Sequence, residues 1–175
     1  MTGIISKTKS FKTQNVTPDS LSTVSQLISM GADKELIINT LYRSRSLGVL
    51  KLWGRVLARL NNNHGGKLVW STLSHMDFHK TDTGERDLSE VVDELIVSIP
   101  EAKIIVLIYE TKNENKNNTN AIIYSTKGVN ALQVGKGFNP NGTKNLAKLS
   151  IEKPISEAEK HIIDKIKENL TRLSV

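Results

Sequence analysis

The strongest constraint on the fold is the segment KIIVLIY, residues 103–109, which is apolar on both faces of an extended chain. A strand of that kind has to be covered on both sides, so it is predicted to lie at the centre of a sheet. Residues 68–74 (LVWSTLS) form a second buried-strand run, rich in β-branched and aromatic side chains. Trp70 in this run, like Trp53 before it, is predicted to be a packing residue.

Strands and helices alternate from Gly66 onward. Asp87 and Glu90 are predicted to form a capping box that opens a helix, which Pro100 stops. A second capping box is predicted at Ser156 and Glu159. The inward faces of these two helices are predicted to hold Leu88, Val91, Val92, Leu95, Ile96 and Ile99, and then Ile162, Ile163, Ile166 and Leu170.

Further strands are predicted at 121–125 (AIIYS) and at 146–151 (LAKLSI), where apolar and polar residues alternate. The polar run 113–120 (NENKNNTN) is predicted to be a hairpin tip, and a short helix is expected around 129–134. This order favours an α/β fold, a small mixed sheet with flanking helices.

A helical lead segment precedes the sheet. Thr17 and Pro18 are typical of a helix start, and this helix is expected to end at Gly31. Asp33 is predicted to cap a second helix, and Ser46 a third. Their predicted buried sides are Leu36, Ile37 and Leu41, and then Leu47, Leu50, Trp53 or Gly54, Leu57 and Leu60.

Residues 1–16 show no clear period and resemble an edge or a severed end. The segment 61–66 (NNNHGG) is predicted to be a linker, because the composition changes there. We therefore divide the chain into a lead segment, 1–62, and an α/β domain, 63–175.

The net charge of +6 is unevenly distributed. Residues 1–63 carry nine Lys and Arg against three Asp and Glu, whereas residues 64–175 carry fifteen of each. Such an excess suggests contact with a polyanion. Lys51, Arg55 and Arg59 form one stripe on the third helix, which is either a solvated face or a set of contacts to a phosphate backbone.

The segment 128–151 contains four glycines, four asparagines and three lysines, and no acidic residue. Glycine allows positive φ and a close approach of the backbone to a ligand, and Asn141-Gly142 is a turn signal. Backbone N–H groups in such turns can bind anions, and Lys136, Lys144 and Lys148 would add charge. The alternative is a solvated connection between two elements.

Several chemistries lack support. Gly137, Gly142, Thr143 and Lys144 give G-x-x-x-x-G-T-K, which reverses the Lys and Ser/Thr of a nucleotide-binding P-loop. No G-x-S-x-G motif is present. His75, Asp77, His79 and Asp82 could bind a divalent metal, but a polar surface loop is the favoured interpretation.

The chain has no cysteine and no long apolar run, so we expect a cytoplasmic protein without disulfides or membrane spans.

The order of these segments resembles the C-terminal part of the DHH-family phosphoesterases. That superfamily includes the RecJ exonuclease and the oligoribonucleases that also dephosphorylate adenosine bisphosphate. The segment 2–11 (TGIISKTKSF) is similar to the last motif of the catalytic domain, residues 27–33 and 41–60 are similar to the linking helices, and Gly66 onward is similar to the DHH-associated domain.

The resemblance implies a manganese-dependent hydrolase, but this chain departs from the family pattern. Lys7 stands where the family has a manganese-binding Asp, and Lys9 stands at the following Gly. A cation cannot replace a carboxylate ligand. We therefore expect no catalytic residues, no metal ligands and no activity of this chain alone.

The associated domain of the family carries a G-G-G-H element that binds substrate phosphate. The aligned stretch here runs from Asn139 to Thr143, with Thr143 at the histidine. Tyr124 stands where an arginine is usual, beside the strand serine Ser125. The predicted phosphate-binding residues are Lys136, Asn139, Asn141, Gly142, Thr143, Lys144, Tyr124 and Ser125, with Lys51, Arg55 and Arg59 as further contacts.

The sequence thus predicts a module that binds short RNA, DNA or a nucleotide, with a catalytic DHH domain as a partner that supplies the chemistry. The alternative is a degenerate, non-catalytic module for protein association or homodimerisation.

Overall fold

The computed structural model describes residues 1–8, 11, 16–42, 46–63, 65–110, 118–126 and 128–173. The chain divides into two compact units, residues 1–46 and residues 47–175. The second unit begins at Leu47, so the third predicted helix lies with the sheet. Lys9, the basic residues Arg43 and Arg45, and most of the predicted hairpin tip (113–117) lie outside the described residues.

The first unit contains three helices: α1 Thr2–Lys7, α2 Pro18–Ser29 and α3 Lys34–Tyr42. At the start of α2, Thr17 Oγ1 accepts a hydrogen bond from the Ser20 amide, and Ser20 Oγ accepts one from the Thr17 amide. At the start of α3, Asp33 Oδ1 accepts one from the Leu36 amide, 2.8 Å away. Both predicted caps are therefore confirmed.

Two features of the first unit differ from the sequence predictions. Residues 2–7 are helical, with Ile5 buried, although they carry no clear period. Leu36 is exposed rather than buried, because few of the described side chains of this unit form an interior that could cover it; among them, Ile5 and Val24 are the buried apolar ones. The side chain of Leu41 lies outside the described part of the chain.

The second unit begins with α4, Leu47–Ala58, and alternates strands with helices from there. The strands are β1 Asn61–Asn63, β2 Leu68–Leu73, β3 Ile104–Glu110, β4 Thr119–Ser125, β5 Asn141–Gly142 and β6 Leu146–Ile151. The helices are α5 His75–Thr81, a one-turn 3-10 helix Glu85–Asp87, α6 Leu88–Ser98, α7 Ala131–Val134 and α8 Ile155–Arg172. The predicted α/β class is confirmed.

The six strands form one mixed sheet in the order β1-β2-β3-β4-β6-β5. β2 and β3 are parallel, joined by a crossover through α5 and α6, and all other pairs are antiparallel. Every residue of β3 from Ile104 to Tyr109 is buried. The predicted central strand is therefore confirmed.

Helices pack on both faces of the sheet. On one face, α7 and α8 bury side chains of β3, β4 and β6 such as Val106, Ile123 and Ala147. On the other face, α4, α5 and α6 bury Val69, Ile105 and Leu107. The predicted inward faces of α6 and α8 are confirmed. No helix among the described residues is long and apolar enough to span a membrane.

The predicted buried side of α4 is wrong at three positions, although Trp53 and Leu60 are partly buried against the core as predicted. Val49, Leu52 and Val56 are buried, whereas Leu47, Leu50 and Leu57 are 66%, 46% and 38% exposed. This helix has apolar residues all around its axis, so spacing alone does not select the face. The sheet selects it: Ser71 Oγ on β2 donates to the carbonyl of Val56, 2.8 Å away.

Part of the predicted linker is a strand. Asn61–Asn63 pair with Trp70–Leu68 at the edge of the sheet, although all three side chains are exposed. Edge pairing uses backbone groups, so a polar sequence does not prevent it. Gly65 and Gly66, both at positive φ, then turn the chain into β2.

Neither capping box predicted in the second unit forms. Asp87 has a helical conformation, and its Oδ2 accepts from the Gly84 amide at 2.8 Å. Helix α8 begins at Ile155 after Pro154, and Glu159 Oε1 accepts instead from the indole of Trp70 at 2.9 Å. Asp87 therefore binds a residue that precedes the helix, and Glu159 binds a residue of the sheet, instead of the capping partner predicted within each helix.

Candidate functional site

On the face of the sheet that packs against α4, α5 and α6, strands β4, β6 and β5 continue the surface formed by β2 and β3. In the strand register Tyr124 lies opposite Leu146, and Ile122 opposite Lys148. Asn141 pairs with Lys148 from the other side. Since paired residues point to the same side of a sheet, these five side chains share one face. We call them the strand face.

A cavity of about 450 Å³ lies between the strand face and the start of α6. Ile122, Leu146 and Lys148 form one wall. The opposite wall is formed by Glu85, Arg86, Ser89 and Val92. The cavity thus combines an apolar floor with two cations and one carboxylate, a composition suited to a small anionic ligand that has an apolar part.

Lys148 is held at this cavity by an ion pair. Its Nζ lies 3.5 Å from Glu85 Oε1. The same carboxylate oxygen accepts a hydrogen bond from the Tyr109 hydroxyl at 2.7 Å. Burial, and then the neighbouring Glu85, raise the pKa of Tyr109, so this hydroxyl stays protonated and keeps donating.

Tyr124 supplies an aromatic ring on the strand face and is half-buried. Burial, and then the charge of Asp93, raise the pKa of Tyr124. Its hydroxyl is therefore neutral at physiological pH. The accessible part of an aromatic ring on the same face as a lysine can support a base by stacking.

The glycine-rich turn is exposed at the sheet edge. Gly142 has φ 140°, and a Cβ there would clash with the Leu146 carbonyl oxygen. Thr143 closes the turn, because its amide donates to that carbonyl at 2.7 Å and its hydroxyl accepts from the Leu146 amide at 3.2 Å. Among the described residues, the amides of Lys144 and Asn145 have no hydrogen-bond partner.

Two further predicted site residues have structural contacts, and a third is exposed. Ser125 is buried, with Oγ 2.9 Å from the Val129 carbonyl and 3.0 Å from the Lys144 carbonyl. It therefore fixes the start of the glycine-rich segment. The Lys136 carbonyl accepts from Asn169 Nδ2 on α8, which covers the opposite face of the sheet. Asn139 is exposed, with φ 49°.

The basic stripe of α4 is divided by the structure. Lys51 is exposed, but Arg55 and Arg59 both bind Asp77 of α5, at 2.9 Å and 2.5 Å. The amide and hydroxyl of Ser74 donate to the same carboxylate. These two arginines join α4 to α5, so we leave them out of the proposed site.

A second cavity, about 460 Å³, lies at the carboxyl ends of the parallel strands β2 and β3. His75, His79, Asp82, Glu85 and Glu110 line it together with Phe78. Asp77, the fourth residue of the predicted metal set, points instead to the arginines of α4. No group of three His, Asp or Glu side chains in the described residues could hold a metal ion.

The residues present do not fit the manganese that the family resemblance implies. Lys7 lies in α1, where a carboxylate ligand would be needed. We therefore derive no chemical step through a metal.

Sequence reasoning missed the cavity wall formed by Glu85, Arg86 and Ser89. The outward position of Lys148 was detectable, since the alternation in LAKLSI puts Leu146, Lys148 and Ser150 on one face. The approach of Glu85 was not, because it depends on how the crossover between β2 and β3 packs.

Fold and site together define the class: an α/β domain of three layers with a partly exposed strand face that carries a lysine and a tyrosine. Similar folds occur in solved structures. An exopolyphosphatase-related protein from Bacteroides fragilis aligns with 98% of this chain at a TM-score of 0.83 and 19% identity. A pGpG-specific phosphodiesterase from Vibrio cholerae aligns with 97% at 0.51 and 14% identity.

The chain spans about half the length of these two proteins, 49% and 55%. At such identities the likeness establishes the fold and not the activity. Neither a family model nor a curated protein sequence matches the chain.

Proposed function

We propose that this chain is a phosphate-binding module of a DHH-like phosphoesterase, which binds short RNA, DNA or a nucleotide and has no catalytic metal centre of its own. The observation that carries the proposal is the strand face, which places Lys148 at the cavity, with Asn141 paired beside it and Tyr124 opposite Leu146 on the same face. The names of the two proteins with similar folds support the proposal, since one refers to polyphosphate chemistry and the other to phosphodiester chemistry.

Each group on the strand face has a role in binding. Lys148 and Arg86 attract phosphate, and the Asn141 side chain can donate to its oxygens. Tyr124 and Leu146 offer an aromatic and apolar surface to a base or ribose. The exposed turn after Gly142 adds the amides of Lys144 and Asn145 and a second lysine beside the same strand edge.

The binding test uses a short fluorescent oligoribonucleotide and anisotropy over a range of salt concentrations. We expect affinity to fall steeply with salt, because binding releases counterions. Lys148→Met should weaken binding about fivefold, as expected for a phosphate contact. Lys160→Met is the matched control, since Lys160 is exposed on α8, against the opposite face.

Equal affinity of Lys148→Met and the unchanged protein would refute the strand face as the site. Manganese should release no mononucleotides from the oligoribonucleotide, because the catalytic half is expected to be supplied by a separate DHH domain. Manganese-dependent release that survives repurification would refute the proposed lack of a metal centre.

A second candidate function, self-association, is favoured by one observation. Leu47, Leu50 and Leu57 lie on the exposed side of α4, and a Cβ on Gly54 between them would meet no atom within 4 Å. Leu50→Glu tests it by sizing at several protein concentrations. A dimer that this substitution dissociates would support association, whereas a monomer at all concentrations would refute it.

A further inference from the structure

The Lys148 cation at the cavity is paired with a carboxylate that the protein itself holds in place. Tyr109 is 1% exposed, so the packing around its ring holds the hydroxyl in place. It donates to Glu85 Oε1 at 2.7 Å, and that oxygen lies 3.5 Å from Lys148 Nζ. The backbone under Glu85 is also fixed, because Asp87 Oδ2 accepts from the Gly84 amide.

Glu85 therefore has two effects on an anionic ligand. It neutralises part of the charge of Lys148, and it presents its own negative charge to the cavity that it lines. Repulsion between this carboxylate and a ligand is proportional to the ligand's charge. A phosphodiester carries one negative charge, whereas a terminal phosphomonoester carries close to two at pH 7.

We propose that Glu85 determines specificity at this site: its fixed carboxylate weakens the binding of terminal phosphomonoesters more than that of internal phosphodiesters. This inference rests on the proposed function, because it concerns the phosphate bound at Lys148. It assigns Tyr109 a positioning role, holding Glu85 at the cavity through a single hydrogen bond.

The test compares two probes, a dinucleoside monophosphate without terminal phosphates and a nucleoside monophosphate. Binding is measured by calorimetry at low salt for the unchanged protein and for Glu85→Gln. We expect Glu85→Gln to strengthen binding of the diester about threefold and of the monoester about tenfold, because the penalty doubles with the charge. The preference for the diester should therefore fall about threefold.

Two further variants separate charge at the cavity from other effects. Glu90→Gln removes one carboxylate from an exposed position on α6, and it should leave the preference unchanged. Tyr109→Phe keeps every charge but frees Glu85, so it should lower the preference by a smaller factor than Glu85→Gln. Thermal melts of each variant verify that it is folded.

The outcomes distinguish the two proposals. If the unchanged protein and Glu85→Gln bind neither probe, the proposed function is refuted and the inference with it. If both proteins bind and Lys148→Met weakens binding, but Glu85→Gln leaves the preference unchanged, the inference alone is overturned. A preference that falls in Glu90→Gln as much as in Glu85→Gln also overturns it, since the effect would then be one of net charge.

Discussion

Asp77 is the carboxylate on which the packing of α4 against α5 depends. It is 2% exposed and accepts hydrogen bonds from Arg55, Arg59 and Ser74. We expect Asp77→Asn to lower the free energy of unfolding by about 2 kcal/mol at pH 7, measured with urea. Breaking a fully buried ion pair would lower the free energy of unfolding further, but both arginines are over a third exposed and are hydrated when the pair is lost.

The same residue predicts a dependence on pH. Burial alone would raise the pKa of Asp77, but hydrogen bonds from Arg59 and Ser74 outweigh it and hold this pKa well below its usual range. A lowered pKa stabilises the fold above the unfolded value of about 4, and this contribution is lost as the pH falls further. The difference in free energy of unfolding between the unchanged protein and Asp77→Asn should therefore shrink below about pH 4. Curves of this free energy against pH that stay parallel would contradict the prediction.

A substitution at Gly142 tests the importance of the turn beside the candidate site. Its φ of 140° disfavours any other residue, and a Cβ would also clash with the backbone of Leu146. We expect Gly142→Ala to cost about 2–3 kcal/mol and to weaken oligoribonucleotide binding. Gly128→Ala is the matched control: φ is 89°, but the space around it is open, so a cost of about 1 kcal/mol is expected. Equal losses of stability in the two variants would show that the backbone shifts and relieves the clash at residue 142.

The Asn141-Gly142 signal predicted a turn from sequence because the dipeptide itself favours it. The partner of each turn atom was not predictable, since the amide and hydroxyl of Thr143 both bind Leu146 and the hydroxyl of Ser125 closes the segment from a different strand.

At the scale of elements, α4 gives the clearest test of which face is buried. Leu52→Ala should destabilise the protein by about 3 kcal/mol, because Leu52 is fully buried beneath the helix. Leu50→Ala removes the same atoms from an exposed position, so we expect a change of less than about 0.5 kcal/mol. Urea unfolding measures both. A larger loss for Leu50 would mean that the exposed side of α4 is covered, as in a dimer.

Strands that are marked by the pattern of their apolar residues were predictable from the sequence. β3 is buried on both faces and β6 alternates, so hydrophobicity alone locates them. β1 was missed because three asparagines pair through their backbone alone. Both capping boxes of the second unit failed for a shared reason: Asp87 and Glu159 bind Gly84 and Trp70 instead, and such contacts are not encoded in local spacing.

At the scale of the whole molecule, the second unit contains everything that the proposed function requires. Both hydrophobic clusters and the strand face lie within residues 47–175. The first 46 residues hold six basic residues against three acidic ones, so they carry half of the net charge of +6.

We therefore expect residues 47–175, expressed alone, to unfold in one cooperative transition. They should bind the oligoribonucleotide with an affinity within about threefold of that of the full chain at physiological salt, where charges beyond about 8 Å are screened. At low salt the full chain should bind more tightly, because the extra positive charge acts over a longer distance. Chemical denaturation and anisotropy measured side by side on the two proteins test this. A cooperative fold that no longer binds would place the phosphate contacts in the first unit and refute the strand face as the site.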